Sequence, residues 1–408
     1  MKILRKNLIF FIFIILIIPL VILPSQVVSA NQEDFVLKGN DVFEVRDRVF
    51  NVVGNVVLRD NATVIVENGI LSIIQSARLQ YNYTLMDRSR LILRKSSHLQ
   101  IYIPGEEIDT GRFSDRHPVF LRDESTLNIS DSSVHIGIVA GPHSLIYAKN
   151  AILLSLGAFG NTSVQLDGTE VRSIGLGEDG GNVEIGELAT ARIINSSMRE
   201  LVVSGKADVR VENSIVKTVN AGTELLDSEV TLWIFDSPSG EEPGLGLWHS
   251  STIWLVNSPL TESGISFWSP ESLLIFGWYL DVHVNSDNQP VEGAEVEVYY
   301  AHNGSIATKG TTDSDGNVRF ILPEKTLRKY EGEKIGNYNV KASFNDVHGE
   351  EKVTLDSSKQ ITVNLVHTNP PPFYTTPLGI GTLVIVALIA GIAISAIIFR
   401  KKQSSVQK

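Results

Sequence analysis

The sequence predicts an all-β protein made of a solenoid of stacked parallel strands, a small β-sandwich and one C-terminal transmembrane helix. Two observations carry this prediction: a short phrase repeats along most of the chain, and one long apolar run stands near its end. The chain also contains no cysteine, so disulfides cannot stabilise it. An extracellular protein without disulfides needs a large core, which a long solenoid supplies.

The repeated phrase consists of two apolar residues one apart, a spacer, and then Asn or Asp followed by a small residue. Each copy predicts a short strand with one inward face, closed by a residue that adopts left-handed backbone and forms Asx turns. One coil cannot bury its apolar face without its neighbours, so the repetition predicts a stacked solenoid. The seven closing positions are Asn68, Asp131, Asn150, Asn195, Asn213, Asp236 and Asn257.

Strands are predicted throughout residues 31–277, separated by Gly, Asn, Ser and Asp. Ser89–Ile103 and Ala207–Val219 alternate apolar and polar positions with period two, as half-buried strands do. A sandwich of hairpins is the alternative, but few two-residue Asn-Gly turns occur. The region resembles the right-handed parallel β-helix superfamily, which includes pectate lyases, polygalacturonases and many surface adhesins. This resemblance rests on periodicity and turn chemistry, so it implies a fold and no particular activity.

A second module is predicted over residues 278–366. It contains the phrase Pro290–Ala294 and a Thr-Asp-x-x-Gly turn at Thr312–Gly316 that precedes an apolar strand. These residues resemble the carboxypeptidase regulatory-like family, a small immunoglobulin- or transthyretin-like sandwich, which implies a spacer or binding module without catalysis. The charged stretch Glu324–Lys334 is an insertion relative to that family. Strands are predicted at Leu280–Val284, Glu295–Tyr299, Val318–Leu322 and Tyr338–Ala342.

Both ends of the chain predict membrane targeting. Residues 1–30 read as a signal peptide, with basic residues before an apolar run and small residues after it; an uncleaved anchor is the alternative. The proline-rich spacer 367–377 leads into the apolar run 378–399, which is long enough to cross a hydrocarbon core of about 30 Å; a buried core helix is the alternative. The basic tail 400–408 belongs on the cytoplasmic side. The sequence therefore predicts a single-pass type I protein of the cell membrane with an extracellular ectodomain.

The charge distribution argues against a nucleic-acid partner. The net charge is −11, and the two terminal segments carry seven basic residues and no acidic one, so the rest of the chain carries −18. Such an acidic surface disfavours nucleic acid and anionic lipid. The lack of cysteine removes thiol nucleophiles and Cys-ligated zinc from consideration, and no cofactor is expected.

N-glycosylation is predicted for the ectodomain because its sequons all lie in the proposed extracellular part. With the short C-terminal tail, they favour an archaeal-type cell-surface glycoprotein. One sequon, at Asn195, also belongs to the repeated phrase, so turn formation is its alternative role. The six sequons stand at Asn61, Asn82, Asn128, Asn161, Asn195 and Asn303.

The best candidate for an enzymatic site is the loop 104–118. Thirteen of its residues contain four carboxylates, two arginines and one histidine. Because a glycosidase needs paired carboxylates and a lyase site needs acidic and basic groups, Asp109, Arg112 and Asp115 are the candidate catalytic residues. A solvated insertion whose charges pair locally is the favoured alternative.

Two further patterns are candidate binding sites. Asp313 and Asp315 stand before Gly316 like the oxygen ligands of a calcium loop, but no later bidentate Glu follows and a plain β-turn is favoured. All five tryptophans lie within 46 residues at the end of the predicted solenoid. They are candidates for stacking on sugar rings, with capping of the solenoid as the favoured alternative. The candidate carbohydrate-binding residues are Trp233, Trp248, Trp254 and Trp268.

These patterns together predict a membrane-anchored structural or adhesive protein that binds a glycan or a surface-layer protein. A tethered polysaccharide lyase or hydrolase acting at loop 104–118 is one alternative. An accessory subunit that binds a partner within a membrane complex is the other.

Overall fold

The computed structural model describes residues 33–77, 80–104, 119–172, 181–222, 230–237, 244–258, 260 and 262–367. Within these ranges the chain is all-β, with short strands and one 3-10 turn at Glu262–Gly264. No helix in this part of the chain has the length and apolar character needed to cross a membrane. The predicted signal peptide, transmembrane helix and basic tail lie outside the described residues, as does the spacer from residue 368 onward.

The described residues form strands β1 to β34, numbered in chain order. They are β1 (Phe35–Leu37), β2 (Val42–Arg46), β3 (Val49–Val52), β4 (Val56–Leu58), β5 (Thr63–Glu67), β6 (Ile70–Ile74), β7 (Tyr83–Leu85), β8 (Arg90–Arg94), β9 (His98–Tyr102), β10 (Val119–Leu121), β11 (Thr126–Ser130), β12 (Ser133–Ala140), β13 (Leu145–Lys149), β14 (Ile152–Ala158), β15 (Ser163–Asp167), β16 (Glu170–Val171) and β17 (Asn182–Ile185). The others are β18 (Thr190–Ile194), β19 (Ser197–Val203), β20 (Asp208–Glu212), β21 (Ile215–Ala221), β22 (Thr231–Phe235), β23 (Gly244–Leu247), β24 (Thr252–Val256), β25 (Ile265–Phe267), β26 (Leu273–Ser286), β27 (Gln289–Pro290), β28 (Glu295–Tyr300), β29 (Ile306–Thr311), β30 (Asn317–Leu327), β31 (Gly332–Lys334), β32 (Asn337–Phe344), β33 (Val347–Thr354) and β34 (Lys359–His367).

Two compact units are formed by the described residues. The first comprises the described residues up to Tyr279 together with Ile321–Gly336 and Asp356–Ser358. The second comprises Leu280–Phe320, Asn337–Leu355 and the described residues from Lys359 onward.

The first unit is built from three parallel sheets, because each strand pairs with the equivalent strand of the next coil. Sheet 1 runs through β1, β4, β7, β10, the second halves of β12 and β14, β17, the second halves of β19 and β21, β23 and β25. Sheet 2 runs through β2, β5, β8, β11, β13, β15, β18, β20, β22, β24 and β26. Sheet 3 runs through β3, β6, β9 and the first halves of β12 and β14, then β16 and the first halves of β19 and β21. The prediction of stacked parallel strands is confirmed, and the arrangement is compatible with a β-helix.

The core of the first unit is a set of apolar columns that run across the coils. Val64 and Val66 on β5 are fully buried, and their register partners Leu91 and Leu93 on β8 are fully buried too. Parallel strands lie about 4.8 Å apart, so each inward side chain packs against its equivalents in the adjacent coils. A coil therefore depends on its neighbours to remove its apolar face from water.

One phenol interrupts this apolar core. The ring of Tyr83 is fully buried, and its hydroxyl lies 2.8 Å from the carbonyl oxygen of Gln100 and 3.1 Å from that of Leu71. Burial raises the pKa of Tyr83 well above its ordinary value. The hydroxyl therefore stays protonated and donates to these backbone acceptors.

A cluster of three phenylalanines closes the first described coil. Phe35, Phe43 and Phe50 come from β1, β2 and β3, and their ring centroids are 4.8 to 5.4 Å apart. All three pack against the core. The Arg48 guanidinium lies 5.9 Å from the Phe43 centroid and 6.0 Å from the Phe50 centroid, within cation–π range.

The charged insertion covers the core at the last coil. Its strands β30 and β31 pair antiparallel over Lys325–Leu327 and Gly332–Lys334. Leu327 packs against the core, and the Lys325 ammonium lies 4.4 Å from the centroid of Phe276 and 2.7 Å from a carboxylate oxygen of Glu262. This hairpin therefore supplies side chains that cover the core, and capping by the tryptophans stays a prediction.

The second unit contains an antiparallel sheet and a second set of paired strands. The antiparallel sheet has the order β29, β28, β32, β33. Strand β26 pairs in parallel with β34 and antiparallel with β27, and on β30 Arg319 donates two hydrogen bonds to Asp281 at 2.6 and 2.9 Å. The four strands predicted from the sequence are confirmed within β26, β28, β30 and β32.

Candidate functional site

The turns that follow the strands of sheet 2 form a regular edge of the first unit, here called the Asx corner. All seven closing residues of the repeated phrase lie there, with φ between 47° and 50°. Asn and Asp tolerate this left-handed backbone better than most residues. The predicted turn conformation is therefore confirmed at every copy of the phrase.

Side-chain ladders hold the Asx corner together. The Asn213 amide donates to Asn195 Oδ1 at 2.6 Å, and the Asn257 amide donates to Asp236 Oδ1 at 2.7 Å. A second, buried ladder uses serine hydroxyls that accept the backbone N–H of the preceding coil at 3.0 to 3.1 Å. This edge is satisfied internally, so its role is to hold the fold. The accepting hydroxyls belong to Ser214, Ser237 and Ser258.

The turns that lead from sheet 1 to sheet 2 form a second edge, here called the carboxylate corner. A groove of about 660 Å³ lies against it. Asp60 accepts the backbone N–H of Gly39 at 2.8 Å, Asp87 accepts that of Asp60 at 2.9 Å, and Asp123 accepts that of Asp87 at 3.3 Å. Because these residues are 21 to 36 positions apart, no local motif revealed them. The groove is lined by Asp60, Asn61, Asp87, Arg88, Asp123 and Glu124.

No group of three or more His, Asp or Glu side chains in the described part of the chain is arranged to hold a metal ion. At the candidate calcium loop, Asp313 Oδ1 accepts the backbone N–H groups of Asp315 at 3.0 Å and Asn317 at 2.9 Å. The carboxylate thus stabilises the turn that connects the strands on either side.

The candidate catalytic residues Asp109, Arg112 and Asp115 lie outside the described residues. Within the described residues, a cluster of charged side chains lies on the outer face of sheet 2. Glu67 accepts hydrogen bonds from Lys95 and, at 2.9 Å, from Arg94, and these bonds lower the pKa of the Glu67 carboxyl. Two of its basic partners are well exposed, so solvent weakens these ion pairs.

The four candidate tryptophans form two stacked pairs. Trp233 and Trp254 occupy adjacent coils at the same register on the outer face of sheet 2, with ring centroids 4.7 Å apart and planes 11° apart. Trp233 also lies parallel to Phe235 at 5.8 Å, and the Arg210 guanidinium lies 4.2 Å from the Phe235 centroid. Both tryptophans are half-buried, so this pair offers little open ring surface.

The second pair presents an open ring. Trp248 and Trp268 follow β23 and β25 in adjacent coils, with centroids 4.5 Å apart and planes 7° apart. Trp268 is 59% exposed, whereas Trp248 is half-buried beneath it. An exposed aromatic ring whose orientation is fixed by a stacked neighbour suits contact with the flat face of a sugar.

The sequons differ in their surroundings. Asn61, Asn161, Asn195 and Asn303 are exposed in turns, whereas Asn82 and Asn128 are half-buried. At the turn between β28 and β29, Asn303 Oδ1 accepts the backbone N–H of Ser305 at 2.9 Å and its hydroxyl at 2.8 Å. The Asn195 amide takes part in the ladder of the Asx corner. N-glycosylation itself stays a prediction.

Comparison with known proteins leaves the chain without an assigned family. No protein-family model matches it, and no curated protein matches it either. The geometry of the described residues is therefore the basis for the functional inference. Among the four candidate tryptophans, Trp268 combines the largest exposure with a fixed ring orientation.

Proposed function

We propose that this chain is a membrane-anchored cell-surface protein whose solenoid is a right-handed parallel β-helix that binds a glycan. In this proposal the second unit is an immunoglobulin-like spacer of the carboxypeptidase regulatory-like type. Residues 378–399 anchor the protein in the membrane, with the ectodomain outside. A surface-layer glycoprotein is a partner of the same chemistry, because it presents sugar.

The single observation that carries the proposal is the Trp248–Trp268 pair. The 4.5 Å centroid distance and near-parallel planes leave one face of Trp268 covered and the residue 59% exposed. The exposed face of this ring offers apolar area that a ligand can remove from water. A pyranose ring with its C–H groups on one face can cover that area.

The solenoid suits a display role. Its core runs through the coils as continuous apolar columns, and its coil edges are held by Asn and Ser ladders. Stacked coils give a stiff, elongated support on which side chains keep their positions. The acidic surface expected from the composition disfavours anionic ligands, so neutral glycans are the preferred class.

The proposal is tested by glycan binding to the full-length protein in detergent. Neutral and acidic polysaccharides are compared by isothermal titration calorimetry for the wild type, Trp268→Ala and Trp233→Ala. Trp268→Ala is expected to weaken binding of a neutral polysaccharide at least about tenfold, in line with a stacking loss of about 1.4 kcal/mol or more. Trp233→Ala is the matched control and is expected to change the affinity less than about threefold.

Two results would contradict the proposal. One is the absence of heat with every polysaccharide in a broad panel. The other is an equal loss of affinity in both variants, which would point to a general effect on the fold. Circular dichroism of each variant separates that effect from loss of a contact.

A further inference from the structure

We propose that Ser133 is a nucleophilic serine, activated by His98 and His135, that takes up a short acyl group from an ester. The three residues lie on the outer face of sheet 3, where β9 and β12 meet. This site is separate from the tryptophan pair and does not depend on the glycan-binding proposal.

The geometry places one hydroxyl between two imidazoles. Ser133 Oγ lies 2.5 Å from His98 Nδ1 and 2.7 Å from His135 Nε2. The His98 and His135 rings meet edge to face, with centroids 5.4 Å apart and planes 81° apart. A nucleophile within hydrogen-bond reach of a base that a third group orients is the arrangement that activates serine.

His135 lies beside Ser133 on β12, next to a β-bulge. In a regular strand the side chains of residues i and i+2 stand side by side, pointing the same way. The pairing of β12 with β14 shifts register between Val134 and Gly137, so His135 and Ile136 together face Leu154. Bulges redirect side chains and are frequent beside active sites. His98 reaches the same hydroxyl from the preceding coil, because it is the register partner of Ser133.

The number of protons available gives the two histidines different roles. A serine hydroxyl has one proton to donate, and each neutral imidazole has one N–H. With both nitrogens in contact with Oγ, one ring accepts the hydroxyl proton and the other donates its N–H to the oxygen. The accepting ring is in place to act as the general base, while the donating ring stabilises negative charge on the oxygen.

The acyl transfer needs no cofactor, because the serine, one imidazole, the ester and water supply every bond and proton. The accepting imidazole takes the hydroxyl proton as Oγ forms a bond to the ester carbonyl carbon. The bond between that carbon and the alkoxy group breaks, and the alkoxy group leaves with the proton as an alcohol. Water then adds to the acyl-serine while the same imidazole accepts its proton. The imidazole returns that proton to Oγ as the Oγ–acyl bond breaks, and a carboxylic acid is released.

The surroundings indicate a small acyl group. Ile70 and Ile152 are the register partners of His98 and Ser133 and flank the cluster on the same face. Both isoleucines and both histidines are half-buried, whereas Ser133 is 6% exposed. An acetyl-sized group matches this limited apolar surface better than a long chain.

The same face contains a matched control serine. Ser197 on β19 faces outward in sheet 3, and its register partners are Glu170 and Ile215. It is half-buried and therefore at least as accessible as Ser133. Any difference in reactivity between the two hydroxyls reports on the histidines.

The test is covalent labelling of the full-length protein with a fluorophosphonate probe, with the modified peptides identified by mass spectrometry. Ser133 is expected to be phosphonylated at least about a hundredfold faster than Ser197, the scale of general-base assistance. His98→Ala and His135→Ala are each expected to slow labelling of Ser133 by a similar factor. Hydrolysis of p-nitrophenyl acetate is expected to fall to background in Ser133→Ala and to be unchanged in Ser197→Ala.

The proposal is overturned if Ser133 reacts no faster than Ser197, or if the double variant His98→Ala His135→Ala labels as fast as the wild type. Circular dichroism verifies the fold of each variant. If Ser133→Ala does not fold, the labelling rates of the two histidine variants still decide the question.

Discussion

The Asx corner and the carboxylate corner both turn the chain from one sheet to the next, but they use different residues to do so. At both, the chain turns through left-handed backbone, with φ of 47° to 50° at the Asx corner and 55° to 68° at eight positions of the carboxylate corner. At both, a side-chain oxygen accepts a backbone N–H from the preceding coil. The eight positions are Gly39, Asp60, Asp87, Asp123, His143, Gly160, Glu187 and Gly205.

The difference between the corners lies in burial. At the Asx corner the accepting serine hydroxyls are buried, so water cannot replace a lost bond. At the carboxylate corner the accepting groups are mostly exposed, and water satisfies the N–H when the side chain changes. Burial therefore makes the loss of an accepting side chain more costly at the Asx corner than at the carboxylate corner.

The largest expected effect concerns the buried serine ladder. Ser214→Ala removes the oxygen that accepts the Ser196 N–H at 3.0 Å and leaves that buried donor unsatisfied. We expect the free energy of unfolding to fall by about 1–3 kcal/mol. Chemical denaturation followed by circular dichroism measures it. An unchanged midpoint would show that the ladder bond is not required.

A second substitution separates backbone strain from side-chain bonding at the Asx corner. Asn213 has a φ of 47°, which Ala adopts at a cost and Gly adopts freely. Asn213→Ala is expected to lower the free energy of unfolding by about 1–2 kcal/mol more than Asn213→Gly. Urea titrations of the two variants give the difference directly. Equal stabilities would mean that the amide ladder, not the backbone, selects Asn here.

The smallest effect is expected at the carboxylate corner. Asp87→Asn keeps an oxygen that can accept the Asp60 N–H, now 2.9 Å from the carboxylate, and keeps a residue that tolerates a φ of 55°. We expect a change within about 0.5 kcal/mol by the same titration. A larger loss would show that the negative charge itself is needed in the groove, which would break the parallel between the two corners.

The repeated phrase predicted the Asx corner because every copy of it places Asn or Asp at the left-handed turn position. Asn195 and Asn213, one coil apart, are the same residue type at this position. The sequence did not predict the carboxylate corner, because equivalent left-handed turn positions there hold different residue types, such as Asp87 and Glu187. The tryptophan cluster was visible as a sequence feature, but only the register of the coils sorted it into a half-buried pair and a pair in which Trp268 alone is exposed.

The all-β class, the stacking of parallel strands and the left-handed turns could be predicted from the amino-acid sequence alone, because these follow from local periodicity and from residue types that single backbone conformations require. Tertiary structure decided which residues meet between coils. His98 and Ser133 are 35 residues apart and come together only because the pairing of β9 with β12 brings them into register. The coils differ in length because their loops differ in length. Side chains that stack in the same column are therefore not separated by a constant number of residues in the sequence.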